Sequence, residues 1–169
     1  MKRMPTGLII FFSIFFAIGF LILGIGLYSL RMSYLAKNWP TTEGKILQCE
    51  VKADTDSNRT TFEAIVKYDY VVGGTRYEGD RIAFGYSGSS LRSAHQEIAD
   101  RLTGVKTVLV RYDPKDASRS VLTYGLNRST IILLVFGTTW TVFVAGLTLL
   151  CSTITQSDYG ILNTLVTTR

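Results

Sequence analysis

His95 is the only histidine in the chain, and Ser87, Ser89 and Ser90 lie shortly before it. A serine activated by a histidine and oriented by an acid makes a nucleophile, and such triads assemble in space rather than in sequence. A hydrolase with a spatial triad at His95 is therefore one reading. The Gly-x-Ser-x-Gly elbow that presents such a serine is absent, so a packing or surface role for His95 is expected. Asp113 and Asp116 flank Pro114-Lys115 and could act as acid and base, or hold a hard cation. The same spacing suits a turn in which Asp caps its own backbone, and that is the expectation. Asp54 and Asp56 resemble the start of a calcium loop without its Gly and terminal Glu. Gly73-Gly74 and the 85–88 loop lack the Lys and the helix of a phosphate loop. Cys49 and Cys151 should lie too far apart for a disulfide. One histidine and one cysteine in the middle of the chain leave no His/Cys zinc site. No catalytic residue, no metal ligand and no cofactor is expected; the chain reads as a non-enzyme.

What remains is surface. The polar stretch Asp54-Thr55-Asp56-Ser57-Asn58-Arg59 and the Gly85-Tyr86-Ser87-Gly88-Ser89-Ser90 stretch read as loops, the second as flexible. Binding usually lives on loops held by a rigid sheet, and Tyr among Ser and Gly is a common contact composition. Asp56, Asn58, Arg59, Tyr86, Ser87 and Ser89 are the expected partner-binding residues.

These loops need a scaffold, and the composition says what kind. The chain has 169 residues, 47% hydrophobic and 18% charged, with a net charge of +5. A soluble domain carries about 25% charged residues. The deficit sits in two charge-free runs, 8–30 and 129–155. About 20 apolar residues cross a bilayer core of about 30 Å, so both runs suffice. The expected layout is an N-terminal tail at 1–7, a first span at 8–30, a soluble domain at 31–128, a second span at 129–155 and a C-terminal tail at 156–169. The first run is longer than a signal-peptide core and has no small-x-small site, so a retained anchor is expected. Neither run holds an ionisable residue, which argues against a pump or transporter. Gly137, Thr141 and Ala145 repeat every four residues, and Ser13 and Ala17 do the same in the first run. Such stripes let helices approach closely, against each other or in a homo-oligomer. No cluster of cations with interleaved aromatics suggests a nucleic acid. Lys2 and Arg3 favour cytoplasmic termini, while Arg31, Lys37 and Arg128 favour the reverse. Because the loop is long its charges count less, so cytoplasmic termini and a periplasmic domain are expected.

The domain itself alternates. Leu47, Cys49 and Val51 should share one strand face, and Phe62, Ala64, Val66, Tyr68, Tyr70 and Val72 another. Gly73-Gly74 then predicts a tight hairpin. Leu91, Ala94, Ile98 and Leu102 form a helical stripe, capped by Ser89 or Ser90 and ended by Gly104. Val105 to Tyr112 and Ser120 to Leu122 are further strands. The fold class expected is α+β: two transmembrane helices flanking a small, mostly antiparallel sheet with one packed helix.

Three pieces resemble one family: Trp39-Pro40-Thr41-Thr42-Glu43-Gly44-Lys45-Ile46, then Tyr68-Asp69-Tyr70-Val71-Val72-Gly73-Gly74-Thr75-Arg76-Tyr77-Glu78-Gly79, then Gly104 through Val108-Leu109-Val110-Arg111-Tyr112-Asp113-Pro114 to Ser120-Val121-Leu122. The order is similar to that of a bacterial membrane-protein family named domain of unknown function 3592. The resemblance implies a fold and a membrane address, and no activity. The expected function is a multi-pass inner-membrane protein, in contact with lipid, whose domain binds a protein partner. One version is an immunity protein that neutralises a toxin acting in the periplasm or membrane. An alternative is a structural subunit that docks into a larger membrane complex through Gly137, Thr141 and Ala145.

Overall fold

A computed structural model describes residues 5–56 and 59–164. It contains α1 (Thr6–Ala36), β1 (Thr41–Asp56), β2 (Arg59–Val72), β3 (Thr75–Gly79), α2 (Arg92–Thr103), β4 (Val108–Asp113), β5 (Asp116–Val121) and α3 (Arg128–Thr164). The fold is α+β, with two long apolar helices around a five-stranded antiparallel sheet and one packed helix. The chain divides into two units. One holds the helices up to Leu27 and from Ile132, the other residues Tyr28–Ile131.

In the helical unit, α1 and α3 are long and apolar enough to cross a membrane. Only 11% and 17% of their most apolar windows are buried, whereas the core helix of a soluble protein would be mostly covered. The two helices pack along seams that recur every seven residues. Phe12, Gly19 and Gly26 are buried on α1, as are Gly137 and Val144 on α3. A Cβ at Gly137 would stand 3.0 Å from the Leu23 backbone nitrogen, and one at Gly19 would stand 2.7 Å from Thr141 Oγ1. Glycine lets the backbones approach this closely. Trp140 Nε1 donates to Phe15 O at 3.0 Å, and the two rings stack.

The other unit begins with the last turns of α1. At 31 residues, α1 is about 46 Å long, well beyond a bilayer core. Its C-terminal part packs into a cluster of Met32, Ala36, Trp39, Phe84 and Val121. The helix tightens through Lys37 N to Tyr34 O and Trp39 N to Ala36 O before Pro40, which has no N–H to continue it.

The strand order is β3-β2-β1-β4-β5. Gly79 of β3 lies against Ser120 of β5, where a Cβ would stand 2.6 Å from the serine Oγ, so the two sheet edges come together. This order, with a helix between β3 and β4, is the connectivity of the five-stranded Greek-key OB barrel. Its interior is filled by Ala64, Val66, Tyr68, Tyr70, Ile82, Ala99 and Val110. Tyr68 donates to or accepts from Ser120 Oγ at 3.0 Å and reaches Arg81 O at 3.1 Å. Burial pushes its phenol up to about 12. Gly73 and Gly74 both take positive φ, at 57° and 81°, and close the β2–β3 turn as the Gly-Gly pair predicts.

Five local expectations need correction. A bulge between Ile46 and Gln48 reverses the alternation of β1. Ile46, Cys49 and Val51 pack inward, and Leu47 is 51% exposed. The buried stripe of α2 is His95, Ile98, Ala99 and Leu102, while Leu91 and Ala94 are exposed. The stripe lies one residue round from the one expected, which makes His95 part of the packed face. Leu91, not a serine, is the N-cap of α2, with no side-chain hydrogen bond. Gly104 ends the helix at φ −74°, without the left-handed conformation. Finally, β5 begins at Asp116 rather than at Ser120.

Candidate functional site

The segment from Asp80 to Leu91 leaves β3, runs beside β2 and enters α2. β3 pairs only with Tyr68–Val72, so the edge of β2 before Tyr68 has no strand beside it. The segment covers part of it. Phe62 N donates to Ser89 O at 2.7 Å and Ser89 N returns a bond to Phe62 O at 2.9 Å. Ala64 N donates to Tyr86 Oη at 3.2 Å.

His95 completes this arrangement. It is 4% exposed, with Nδ1 2.7 Å from Tyr86 Oη and Nε2 2.8 Å from Ser89 Oγ. The Tyr86 hydroxyl accepts the Ala64 amide and has one proton to give; where that proton goes to Nδ1, Nε2–H donates to Ser89. Ser89 Oγ also accepts from Leu91 N at 3.3 Å. In this tautomer the histidine gives a proton toward the serine, opposite to what a general base does. A tyrosine hydroxyl stands where a triad would have a carboxylate. The chain Tyr86–His95–Ser89 is a clasp that fastens the segment to β2 and α2. Burial raises the Tyr86 phenol above its ordinary value.

The expected loop residues are therefore placed in three ways. Tyr86 is half-buried and packs on the barrel core, and Ser89 is half-buried in the clasp. The 85–90 stretch is pinned, not flexible. Ser87 is exposed, and its carbonyl accepts from Ser129 Oγ at 3.4 Å. In the 54–59 stretch, Asp54–Asp56 and Arg59 belong to strands, and Ser57 and Asn58 lie outside the described residues. The β1–β2 ladder continues through Asp54↔Thr61 and Thr55↔Thr60 to Asp56↔Arg59. Asp56 and Arg59 are exposed at the end of this ribbon, and Asn58 lies outside the described residues. Periodicity misses the ribbon because both of its faces are polar.

On α1, Ser13 and Ala17 are exposed, and the Ser13 hydroxyl donates back to Ile9 O at 2.8 Å. Residue 13 lies about 100° round the helix from the buried Phe12, so the α1 seam is Phe12–Gly19–Gly26 instead. Gly137 and Thr141 lie against α1 of the same chain, and Ala145 is half-buried.

Two clefts open on the barrel. One, of about 360 Å³, lies along the free edge of β2 between Glu63, Ile65, Asp80, Arg81 and Tyr86. The other, of about 330 Å³, is lined by Glu43, Lys45, Asp69, Arg76 and Thr107. In it, Arg76 pairs with Asp69 at 2.6 Å. Both are lined by both signs of charge. In the β4–β5 turn, Lys115 N donates to Asp113 Oδ1 at 2.9 Å, and the Ser118 amide and hydroxyl donate to Asp116 Oδ1. The two carboxylates do turn chemistry, and the Ser118 bonds hold the Asp116 carboxyl below its usual value. No group of three or more His, Cys, Asp and Glu residues suited to a metal ion occurs among the described residues.

The sequence profile of the family described as domain of unknown function (DUF3592) matches residues 42–127. The chain belongs to this family. The DUF3592 stretch runs from the second residue of β1 to the residue before α3, so it is the barrel without the two apolar helices. It includes the whole Tyr86–His95–Ser89 clasp, the β1–β2 ribbon and both clefts. No curated protein and no solved structure matches the chain.

Proposed function

We propose that the chain is a non-enzymatic integral membrane protein whose DUF3592 barrel binds a protein partner through the β1–β2 ribbon. One observation carries this reading. The ladder stays paired out to Asp56↔Arg59, while Lys52–Asp56, Arg59 and Thr61 are exposed. A stiff polar ribbon that buries nothing of its own adds little to the stability of the barrel, and rigid presentation lowers the cost of binding. In barrels of this connectivity the β1–β2 and β4–β5 ends and the β2–β3 face carry ligands, which supports the same place by analogy of fold. The outer face of β1–β2–β3 sets Lys45 beside Asp69 and Asp69 beside Glu78, and its tyrosines point inward. This mixed surface suits a protein more than a nucleic acid, which needs a positive, aromatic platform.

The reading extends to a bacterial inner membrane, cytoplasmic termini and a periplasmic barrel, and to an immunity protein against a toxin acting in that space. The test is deletion of the gene in cells that retain a neighbouring toxin gene. Deletion should be lethal, and full-length chain should rescue it. A chain whose ribbon is cut back to a two-residue turn after Val51 should insert and fold but fail to rescue. Survival of the deletion removes the immunity version, and rescue by the shortened chain removes the ribbon. A cysteine placed at Lys52 and probed with an impermeant thiol reagent decides the side.

The alternative of docking into a larger complex through Gly137, Thr141 and Ala145 loses support, because α1 already covers Gly137 and Thr141. A hydrolase reading is favoured by one distance, the 2.8 Å between Ser89 Oγ and His95 Nε2. It predicts covalent labelling of Ser89 by a fluorophosphonate; the clasp predicts none.

A further inference from the structure

The cations of the 31–128 stretch outnumber its acids by three. Between Arg31 and Arg128 there are fifteen Lys and Arg and twelve Asp and Glu. Five of the cations, Arg31, Lys37, Arg81, Arg111 and Arg128, belong to the segments that gather around the roots of α1 and α3. Arg111 Nη1 donates to the Lys37 and Trp39 carbonyls and its guanidinium lies 4.5 Å over the Tyr124 ring. Arg81 lies 5.0 Å over Phe84, which meets Trp39 edge-on. Ser33 and Gly125 exchange two bonds of 2.7 Å, and Asn127 Nδ2 donates to Phe84 O, which brings the root of α3 to the same place. The root segments 28–40 and 121–131 contain no acidic residue. The nearest acid in sequence to these groups is Asp80, which lines the cleft beside Glu63. Set these five cations aside, and ten remain against twelve acids. The rest of the barrel is therefore slightly negative.

Between these cations, apolar groups stand uncovered. Tyr28 is 56% exposed, Tyr34 70%, Tyr124 43% and Leu126 60%. Amphipathic rings alternating with Arg and Lys are what a headgroup layer accepts, since it is wet and anionic on one side and apolar on the other. Tyr28 and Arg31 follow the apolar run of α1 without a break in the helix, and Arg128 begins α3.

We propose that this foot is a docking surface for the headgroups of anionic phospholipids. It rests on the membrane reading above. The two root segments give an anchor, and Arg81 and Arg111, distant from the spans in sequence, widen it into a charged base. Headgroup contacts then hold these root segments at the bilayer surface in addition to the spans.

The experiment uses the full chain reconstituted into vesicles of phosphatidylcholine, with or without 30% phosphatidylglycerol as the probe lipid. Flotation is measured first, then the thermal midpoint of the barrel by hydrogen exchange. The expected midpoint is higher in the anionic vesicles by on the order of 5–10 °C, and the gain shrinks as salt is raised, as a surface electrostatic contact requires. The R31Q/K37Q/R128Q variant should lose the gain and keep the wild-type midpoint in phosphatidylcholine. The K52Q/R59Q variant, altered on the ribbon, should keep the gain. The R31K/R128K variant should also keep it, which separates charge from shape. Soluble glycerol phosphate should give no gain; if it gave the full gain, a free phosphate site would replace the lipid surface. Equal midpoints in both lipids, or the same gain in the triple variant, overturn the proposal. Floating with equal midpoints in the two lipids overturns the foot alone, whereas failure to float overturns the membrane reading with it.

Discussion

Replacing His95 by Ala tests the clasp directly. The imidazole is nearly buried and makes hydrogen bonds at both nitrogens, to Tyr86 and Ser89. Each bond contributes roughly 1 kcal/mol net. The emptied space beside Tyr86 and Ala99 costs about another 1–2 kcal/mol. The variant should lose about 3–4 kcal/mol, a large part of the roughly 5–15 kcal/mol of a typical domain. For a barrel of about 100 residues that is a midpoint drop of at least about 12 °C. Ser89→Ala should cost about 1–2 kcal/mol, because it removes one histidine partner and the acceptor of the Leu91 amide. The double variant should fall short of the sum by about 1 kcal/mol, since both single changes break the same bond. The assay is thermal unfolding of the full chain in detergent, with hydrogen exchange read at the Phe62 and Ser89 amides that bridge the segment to β2. Both amides should exchange faster in His95→Ala. A midpoint within about 2 °C of wild type, with both amides still protected, would refute the reasoning.

Three further outcomes are expected. Tyr68 has its phenol raised to about 12, so its neutral form is the one the fold favours. The contribution is complete below pH 10 and is lost between about pH 10 and 12, worth about 3 kcal/mol at most; denaturant unfolding against pH should show this alkaline loss, reduced in Tyr68→Phe. Gly137→Val sets a side chain against the Leu23 backbone and should loosen the helix pair, whereas Ala17→Val, on an exposed position, should not; a cysteine crosslink between the helices compares them. Leu47→Asn at the bulge should change the midpoint by little, within about 0.5 kcal/mol, while Val51→Asn should cost more than about 2 kcal/mol in the same unfolding assay.

The elements with strong local signals were legible in the residues. Twenty-three and twenty-seven charge-free positions fall in two long apolar helices, because a helix pairs the backbone groups of such a run within the run itself. Phe62 to Val72 alternates cleanly, and Gly73-Gly74 supplies the positive φ of the next turn, so that hairpin depends on nothing distant. Other features required the fold. The bulge at Leu47 shifts the parity of β1 so that Ile46 before it and Cys49 and Val51 after it face the same core, a demand that no window of sequence contains. The ribbon end, Asp54–Asp56 paired with Arg59–Thr61, is polar on both sides, so pairing and not burial makes it a strand. His95 became a buried anchor only when the Tyr86 segment crossed the uncovered edge of β2. Arg81 and Arg111 joined the helix roots only through barrel closure. The chain's own residues therefore determined where its apolar helices and its best hairpin lie, since those follow from short-range sterics and hydrophobicity. Which polar groups meet was decided by tertiary packing, since hydrogen bonds form between atoms brought together by strands far apart in the chain.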